Sequence, residues 1–201
     1  MITIIDYGMG NLRSVQKALE KVGAETVISQ DPMEIQKADK VILPGVGAML
    51  PAMEKLKTLG LVSVITESIE SGKPFLGICL GLQLLFEKSS EGGEIAGLGV
   101  IKGTVDRFQK LKVPHMGWNQ LHIQKRQCPL FAGVEDLTNV YFCHSYFVQP
   151  TDTSLAATTT DYGLEFVSAI WNKNVFGVQF HPEKSQSTGL KILKNFVELK
   201  I

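Results

Sequence analysis

The sequence has no net charge: Lys and Arg number 20, Asp and Glu 20. A nucleic-acid binder carries a basic excess to neutralise phosphates, so this balance argues against that class. Cysteine is scarce, with three residues, Cys79, Cys128 and Cys143, in no CxxC spacing. An odd count without paired spacing argues against both a disulfide framework and a structural zinc site. No apolar run approaches the roughly 18–20 residues of a membrane span. The opening segment, Met1–Gly10, lacks the basic region and extended apolar stretch of a signal peptide. No segment repeats, and no linker or low-complexity tract divides the chain. What is present is 44% hydrophobic and 20% charged residues over 201 positions, the composition of a globular core. The expectation is a soluble, cytoplasmic, single domain spanning residues 1–201.

The first half alternates short apolar runs with helical periodicity. Ile2 to Ile5 reads as a strand ending in the turn Asp6-Tyr7-Gly8-Met9-Gly10. From Asn11 to Val22, Leu12, Val15, Ala18, Leu19 and Val22 recur at three- and four-residue steps, which predicts a helix with Asn11 as N-cap. Strands follow over Thr26–Ile28, Lys40–Leu43 and Pro74–Ile78, with helices over Met49–Leu59 and Leu61–Ile69, and another from Leu80 to about Lys88. The second half reads mostly as strands: Gly99–Phe108, Trp118–Ile123, Val140–Val148, Leu155–Thr160, Phe166–Trp171 and Val175–Phe180. Asn172-Lys173-Asn174 forms a hairpin tip, and a helix from Thr188 to Leu199 closes the chain. The predicted fold is α/β, an open and mostly parallel sheet flanked by helices, with an antiparallel excursion in the second half.

Ligands of open α/β sheets bind at the carboxyl ends of the strands. Four such ends carry candidate chemistry. Gly77-Ile78-Cys79-Leu80-Gly81 passes from strand to helix with glycines two residues either side of a cysteine, the logic of a nucleophile elbow. Cys79 then sits at a helix start, where the dipole favours thiolate, and the Leu80 N–H is free to meet an oxyanion. Taken alone, the pattern also fits a buried structural cysteine. His181-Pro182-Glu183 follows a strand, and Pro182 disfavours helical geometry at His181. In an extended segment residues two apart face one side, so imidazole and carboxylate project together. A strand-end turn with a solvated Glu183 is the plain alternative. The two features together are more specific: thiol, base and orienting acid make up the machinery of acyl transfer.

Pro44-Gly45-Val46-Gly47 offers a loop peptide as second oxyanion donor; alone it reads as a strand-to-helix turn. Asp6–Gly10 is not a dinucleotide fingerprint, because Arg13 stands where the third glycine belongs. His115, His122 and His144 form no metal-ligand spacing, so no metal is expected. His122 reads as surface, and Cys128 and Cys143 as structural.

On Pro44–Gly47, Gly77–Gln83 and Gln179–Glu183 the chain resembles the class I (triad) glutamine amidotransferases over essentially its full length. The resemblance implies catalytic Cys79, His181 and Glu183, an oxyanion hole from Leu80, Val46 and Gly47, and glutamine held by Gly47, Gln83, Ser145 and Tyr146. It implies no cofactor. Asp6–Leu12, Val113–Asn119 and Tyr141–Tyr146 resemble, within that family, the glutaminases that serve histidine biosynthesis; Cys143 replaces an expected valine there. The implied partner is a separate cyclase subunit with a (β/α)8 barrel, in a heterodimer, with Asn11, Tyr141 and Lys184 near the interface. A glutaminase for anthranilate or pyridoxal phosphate synthesis is the alternative. A non-enzymatic module of the same fold is argued against by the intact triad.

Overall fold

A computed structural model describes residues 1–200. In chain order the first half runs β1 (Ile2–Ile5), α1 (Leu12–Lys21), β2 (Thr26–Ser29), α2 (Pro32–Lys37), β3 (Lys40–Gly45), α3 (Met49–Thr58), α4 (Leu61–Glu70), β4 (Phe75–Cys79) and α5 (Leu80–Leu84). Strands then dominate: β5 (Phe86–Ser89), β6 (Ile95–Ala96), β7 (Ile101–Arg107), β8 (His115–Gln120), β9 (His122–Ile123), β10 (Asn139–His144), β11 (Tyr146–Pro150), β12 (Ala156–Asp161), β13 (Glu165–Asn172) and β14 (Val175–Val178). The helix α6 (Gln186–Glu198) follows.

The main sheet is ordered β2-β1-β3-β4-β14-β13-β11-β7-β5-β6, with β12 pairing β13 and β9 off that path. Strands β2, β1, β3, β4 and β14 run parallel. From β14 to β13, β11 and β7 the pairing is antiparallel, the excursion expected from the sequence. Strands β8 and β10 form a separate antiparallel ribbon.

Alternate strand residues feed opposite faces, as the two-residue period of a strand requires. Ile4, Ile42, Leu76 and Ile78 pack on one side with Val15 and Leu19 of α1 and Ile192 and Phe196 of α6. Val41, Leu43 and Phe75 pack on the other with Met53 and Leu56 of α3 and Val64 and Ile65 of α4. Each fully buried aliphatic side chain contributes on the order of 1.5–3 kcal/mol, so this double-sided burial fixes the register of the strand ends.

Four departures from the sequence reading have physical causes. The helix predicted from Leu80 to Lys88 stops after Leu84. The carbonyls of Leu84, Leu85 and Phe86 accept the N–H groups of Leu98, Ile101 and Gly99, and Phe86 joins β7 as β5. The helix α2 is too short to show a period; the Asp31 side chain caps it by accepting from Met33 N at 2.9 Å, and Pro32 opens it. Val140–Val148 is two strands, β10 and β11, which break at Ser145 and join different sheets. Asn11 stands at the start of α1 without a side-chain capping bond; its Oδ1 accepts from Ser14 Oγ at 2.9 Å.

Candidate active site

The sheet order makes β1, β3, β4 and β14 neighbours, so their carboxyl ends gather along one edge. Register places Gly45 directly opposite Cys79, and Val178 opposite Ile78. Cys79 has φ 55° and ψ −108°. That positive φ is uncommon outside glycine and marks an elbow held by its surroundings. The flanking glycines are required by close packing. A Cβ on Gly77 would lie 2.6 Å from the Gly81 carbonyl oxygen, and a Cβ on Gly81 would overlap the Leu43 carbonyl oxygen.

The helix after the elbow is only five residues, a weaker source of dipole than the sequence suggested. Charge at the site comes instead from side chains. His181 Nδ1 lies 2.8 Å from Glu183 Oε1, and both side chains are buried. Burial opposes charge on the imidazole. The hydrogen bonds and charge interactions with Cys79 and Glu183 outweigh that burial and push its pKa up to about 10. The pairing expected from an extended segment is present, but by another route. Pro182–Lys184 is a single 3-10 turn, and His181 precedes it in extended geometry. The Ser185 hydroxyl donates to His181 O at 2.7 Å and accepts from Tyr141 N at 2.9 Å, pinning this turn to β10.

A pocket of about 250 Å³ opens over the thiol. Its walls include eight residues named from sequence for the triad, oxyanion hole and substrate: Val46, Gly47, Cys79, Leu80, Gln83, Ser145, Tyr146 and His181. Glu183 stands behind His181. Lys184 also reaches the pocket, with its Nζ 5.8 Å from the Tyr141 ring centroid. Asn11 is not on the pocket wall; α1, which it precedes, packs on the Pro182–Lys184 turn.

Gln83 is more constrained than the sequence implied. Its Nε2 donates to Tyr146 O at 2.9 Å and Gln179 Oε1 at 3.0 Å. Only Oε1 remains for a ligand. Gln179, given no role from sequence, lies with Nε2 3.7 Å from the Cys79 sulfur. The Cys143 carbonyl faces that sulfur at 3.8 Å, so this residue borders the thiol through its backbone. Cys128 is wholly buried, in keeping with a packing role. His122 is half-buried, as β9 pairs with β12.

Two further groups had no role in the sequence reading. Glu91 lines the pocket, and its Oε2 accepts from Met49 N at 2.7 Å, at the start of α3. His144 and His115 form a buried pair, with His115 Nδ1 2.9 Å from His144 Nε2 and His144 Nδ1 2.8 Å from Tyr146 O. The Asn119 amide nitrogen, 3.2 Å from His115 Nε2, sets the direction of the chain. His115 donates through Nδ1 to His144, which donates through its own Nδ1 to Tyr146 O. Burial holds His115 down at about 4. It also holds His144 down at about 3, outweighing the help of Tyr146 O, and the neighbouring His115 and His181 imidazoles act in the same direction as burial. Both rings are therefore neutral near pH 7, and together with Gln83 they fix the Tyr146 carbonyl beside the pocket.

A larger apolar groove of about 730 Å³ includes Trp171, Phe176 and Leu199. It also touches Gly72 and Asn174, near the starts of β4 and β14, at the end of the sheet away from the thiol.

An elbow cysteine beside a buried imidazole–carboxylate pair, on this sheet, defines a class of protein. The model of the family described as "Glutamine amidotransferase class-I" matches residues 3–199, and the chain belongs to that family. It is 55% identical over 207 residues to "Imidazole glycerol phosphate synthase subunit HisH" of Syntrophotalea carbinolica, covering 99% of this chain and 100% of that protein. The protein of the same name from Geobacter sulfurreducens is 56% identical over 207 residues, covering 99% of each. Among solved structures, PurLQS from Thermotoga maritima superposes with a TM-score of 0.78 at 19% identity, covering 97% of this chain and 96% of that one. At that identity the likeness concerns the fold.

Proposed function

We propose that this chain is the glutaminase subunit of imidazole glycerol phosphate synthase, which releases ammonia from glutamine through a thioester on Cys79. The observation that carries the reading is the convergence of the elbow thiol with the buried His181–Glu183 pair, in a chain more than half identical to relatives named HisH along nearly its whole length.

The Cys79 thiolate attacks the side-chain carboxamide carbon, a C–S bond forms and the carbonyl electrons move to oxygen. The Leu80 N–H and a peptide N–H of the Val46–Gly47 segment meet that oxyanion; the first N–H groups of a helix have no acceptor within it. His181, as imidazolium, gives its proton to the departing nitrogen as the C–N bond breaks. It then takes a proton from the water that attacks the thioester, and thiolate and glutamate separate. Glu183 holds the ring by Nδ1 throughout, leaving Nε2 for these transfers.

Gly47, Gln83 Oε1, Ser145 and Tyr146 hold the amino acid, and Glu91, on the same wall, offers a carboxylate to its α-ammonium group. Glu91→Gln is expected to raise the glutamine KM roughly tenfold or more with a smaller change in kcat, because the interaction is shared by ground and transition states. Steady-state kinetics over a range of glutamine concentrations test it; an unchanged KM removes Glu91 from recognition.

The relatives' printed name makes them subunits of a synthase. For this chain the proposed partner is a cyclase subunit with a (β/α)8 barrel, in a cytoplasmic heterodimer. That subunit would use the ammonia to convert the phosphoribulosyl-formimino precursor into imidazole glycerol phosphate and the aminoimidazole carboxamide ribonucleotide. A surface suited to docking lies near the pocket: Met116 is 61% and Trp118 48% exposed on β8, with Trp118 edge-on to Tyr141, whose ring Lys184 approaches. Exposed aromatic and Met side chains of this kind are typical of interfaces. Among the described residues no helix is long and apolar enough to cross a membrane.

The experiment is glutamate release by the chain mixed with the cyclase, with and without an analogue of the phosphoribulosyl precursor. Acceleration by the analogue is expected. Glutamine hydrolysis indifferent to it would favour service to another synthase, and no hydrolysis at all would contradict the reading.

A further inference from the structure

We infer that Tyr7 is a positioning residue for the oxyanion loop: its hydroxyl is a stored donor for the Gly45 carbonyl oxygen when the Gly45–Val46 peptide turns its N–H toward the reacting carboxamide. The inference deepens the glutaminase reading and rests on it.

The Tyr7 side chain is wholly buried, and its Oη has no hydrogen-bond partner among the described residues. A buried hydroxyl without a protein partner is unfavourable, and a phenylalanine would fill almost the same volume without it. Unpaired buried polar atoms call for an explanation in strain or function. Of the other such atoms, Glu183 Oε2 lies behind His181, and four are Thr or Ser hydroxyls, at Thr3, Thr26, Ser68 and Thr160.

The place of the Tyr7 hydroxyl is specific. A Cβ built on Gly45 would overlap it, while lying 2.9 Å from Leu80 Cβ and 3.2 Å from Gly81 N. The hydroxyl therefore occupies the space a side chain at position 45 would take, between β3 and the elbow. Gly45 is also the residue in register with Cys79. Burial, and then the interaction with Cys79, push the Tyr7 pKa up, so the group remains a neutral O–H donor.

The N–H and C=O of one peptide point in opposite directions. If the Val46 N–H is to point into the pocket, the Gly45 carbonyl must point away from it, toward the floor that the Tyr7 hydroxyl occupies. A backbone carbonyl swung toward that buried floor without a donor would be costly, and the Tyr7 O–H supplies the donor. The loop is free to make this turn. Val46 is 40% exposed, and Gly47, at φ +91°, supplies a conformation that other residues rarely adopt.

The test is Tyr7→Phe in the complex with the cyclase, which deletes one oxygen and keeps the ring. The expected result is a kcat for glutamate release about tenfold lower, with KM for glutamine within about twofold of the parent. The melting midpoint should be unchanged or higher, since the lost atom had no partner. Alkylation of Cys79 by iodoacetamide, a displacement that forms no oxyanion, should proceed at the parent rate. A kcat within about twofold of the parent overturns the proposal. So does a fall in kcat matched by slower alkylation, which would assign Tyr7 to the thiol, or by a lower midpoint, which would assign it to packing. Failure of the parent complex to release glutamate would instead remove the glutaminase reading, and this inference with it.

Discussion

Cys79→Ala is expected to reduce glutamate release to background, a loss of roughly 10⁴-fold or more, because Cys79 is the thiol held on the elbow beside the His181–Glu183 pair. The fold should survive. Besides His181, the sulfur's polar contacts are long, with the Cys143 carbonyl at 3.8 Å and the Gln179 amide at 3.7 Å. Alanine keeps the Cβ that already tolerates this backbone, and removing one buried sulfur costs on the order of 1 kcal/mol. The informative companion measurement is synthesis from free ammonium salts by the assembled synthase. That route bypasses Cys79, so it should persist in the variant. Retained glutaminase turnover would end the nucleophile assignment; loss of both activities with a collapsed melting transition would point to a structural role.

Glu183→Gln has the second-largest expected effect. The side chain is almost completely buried and touches His181 Nδ1 through Oε1, so no solvent can replace it. An amide at this position can donate to Nδ1 and favour the tautomer with the proton on Nε2, the wrong one for a base. A loss of about 10³–10⁴-fold in kcat is expected, the scale found when an orienting carboxylate is removed from a catalytic imidazole. The pH profile of stability should change with it. An ordinary imidazole titrates at 6.5, and His181 in the fold at about 10. Between these values His181 keeps in the fold a proton that it has lost in the unfolded chain, so its contribution to stability falls as pH rises through that window. His115 and His144 act oppositely. Below 6.5 the unfolded chain takes up protons that the folded one refuses until about 4 and about 3, so stability also falls toward acid. The melting midpoint of the parent should therefore peak near the ordinary imidazole value. In Glu183→Gln one acceptor of the His181 proton is gone, so the alkaline decline should finish at lower pH. Superimposable alkaline limbs would show that Glu183 does not stabilise the imidazolium.

The legible parts of the protein were those whose cause is local. The strand of Ile2–Ile5 and the stripe of Val15, Ala18 and Leu19 on α1 follow directly from periodicity. The elbow was legible because a backbone that passes so close to Leu43 and Gly81 needs glycine two residues either side of Cys79. The extent of α5 is not legible, because its apolar run continues through Phe86, while the segment that captures its carbonyls arrives from residues 98–101. His181 and Glu183 do meet, yet through a 3-10 turn that Pro182 opens rather than an extended stretch. Glu91 carried no local signal, and Gln179 stood in a motif without a role of its own. Their partners at Met49 and Cys79 lie 42 and 100 residues away, and only the folded sheet edge brings them together. Tyr7 was visible only as part of a turn, since its unpaired hydroxyl gains meaning from its position against Gly45.

Hydroxylamine partitioning tests the central claim most directly. A thioester on Cys79 would be captured by hydroxylamine in competition with water, giving γ-glutamyl hydroxamate in place of glutamate. The expected result is hydroxamate that rises with hydroxylamine at the expense of glutamate, in the complex supplied with glutamine and the precursor analogue, and no hydroxamate from Cys79→Ala. Steady release of glutamate with no hydroxamate at any hydroxylamine concentration, or hydroxamate formed by Cys79→Ala, would contradict it.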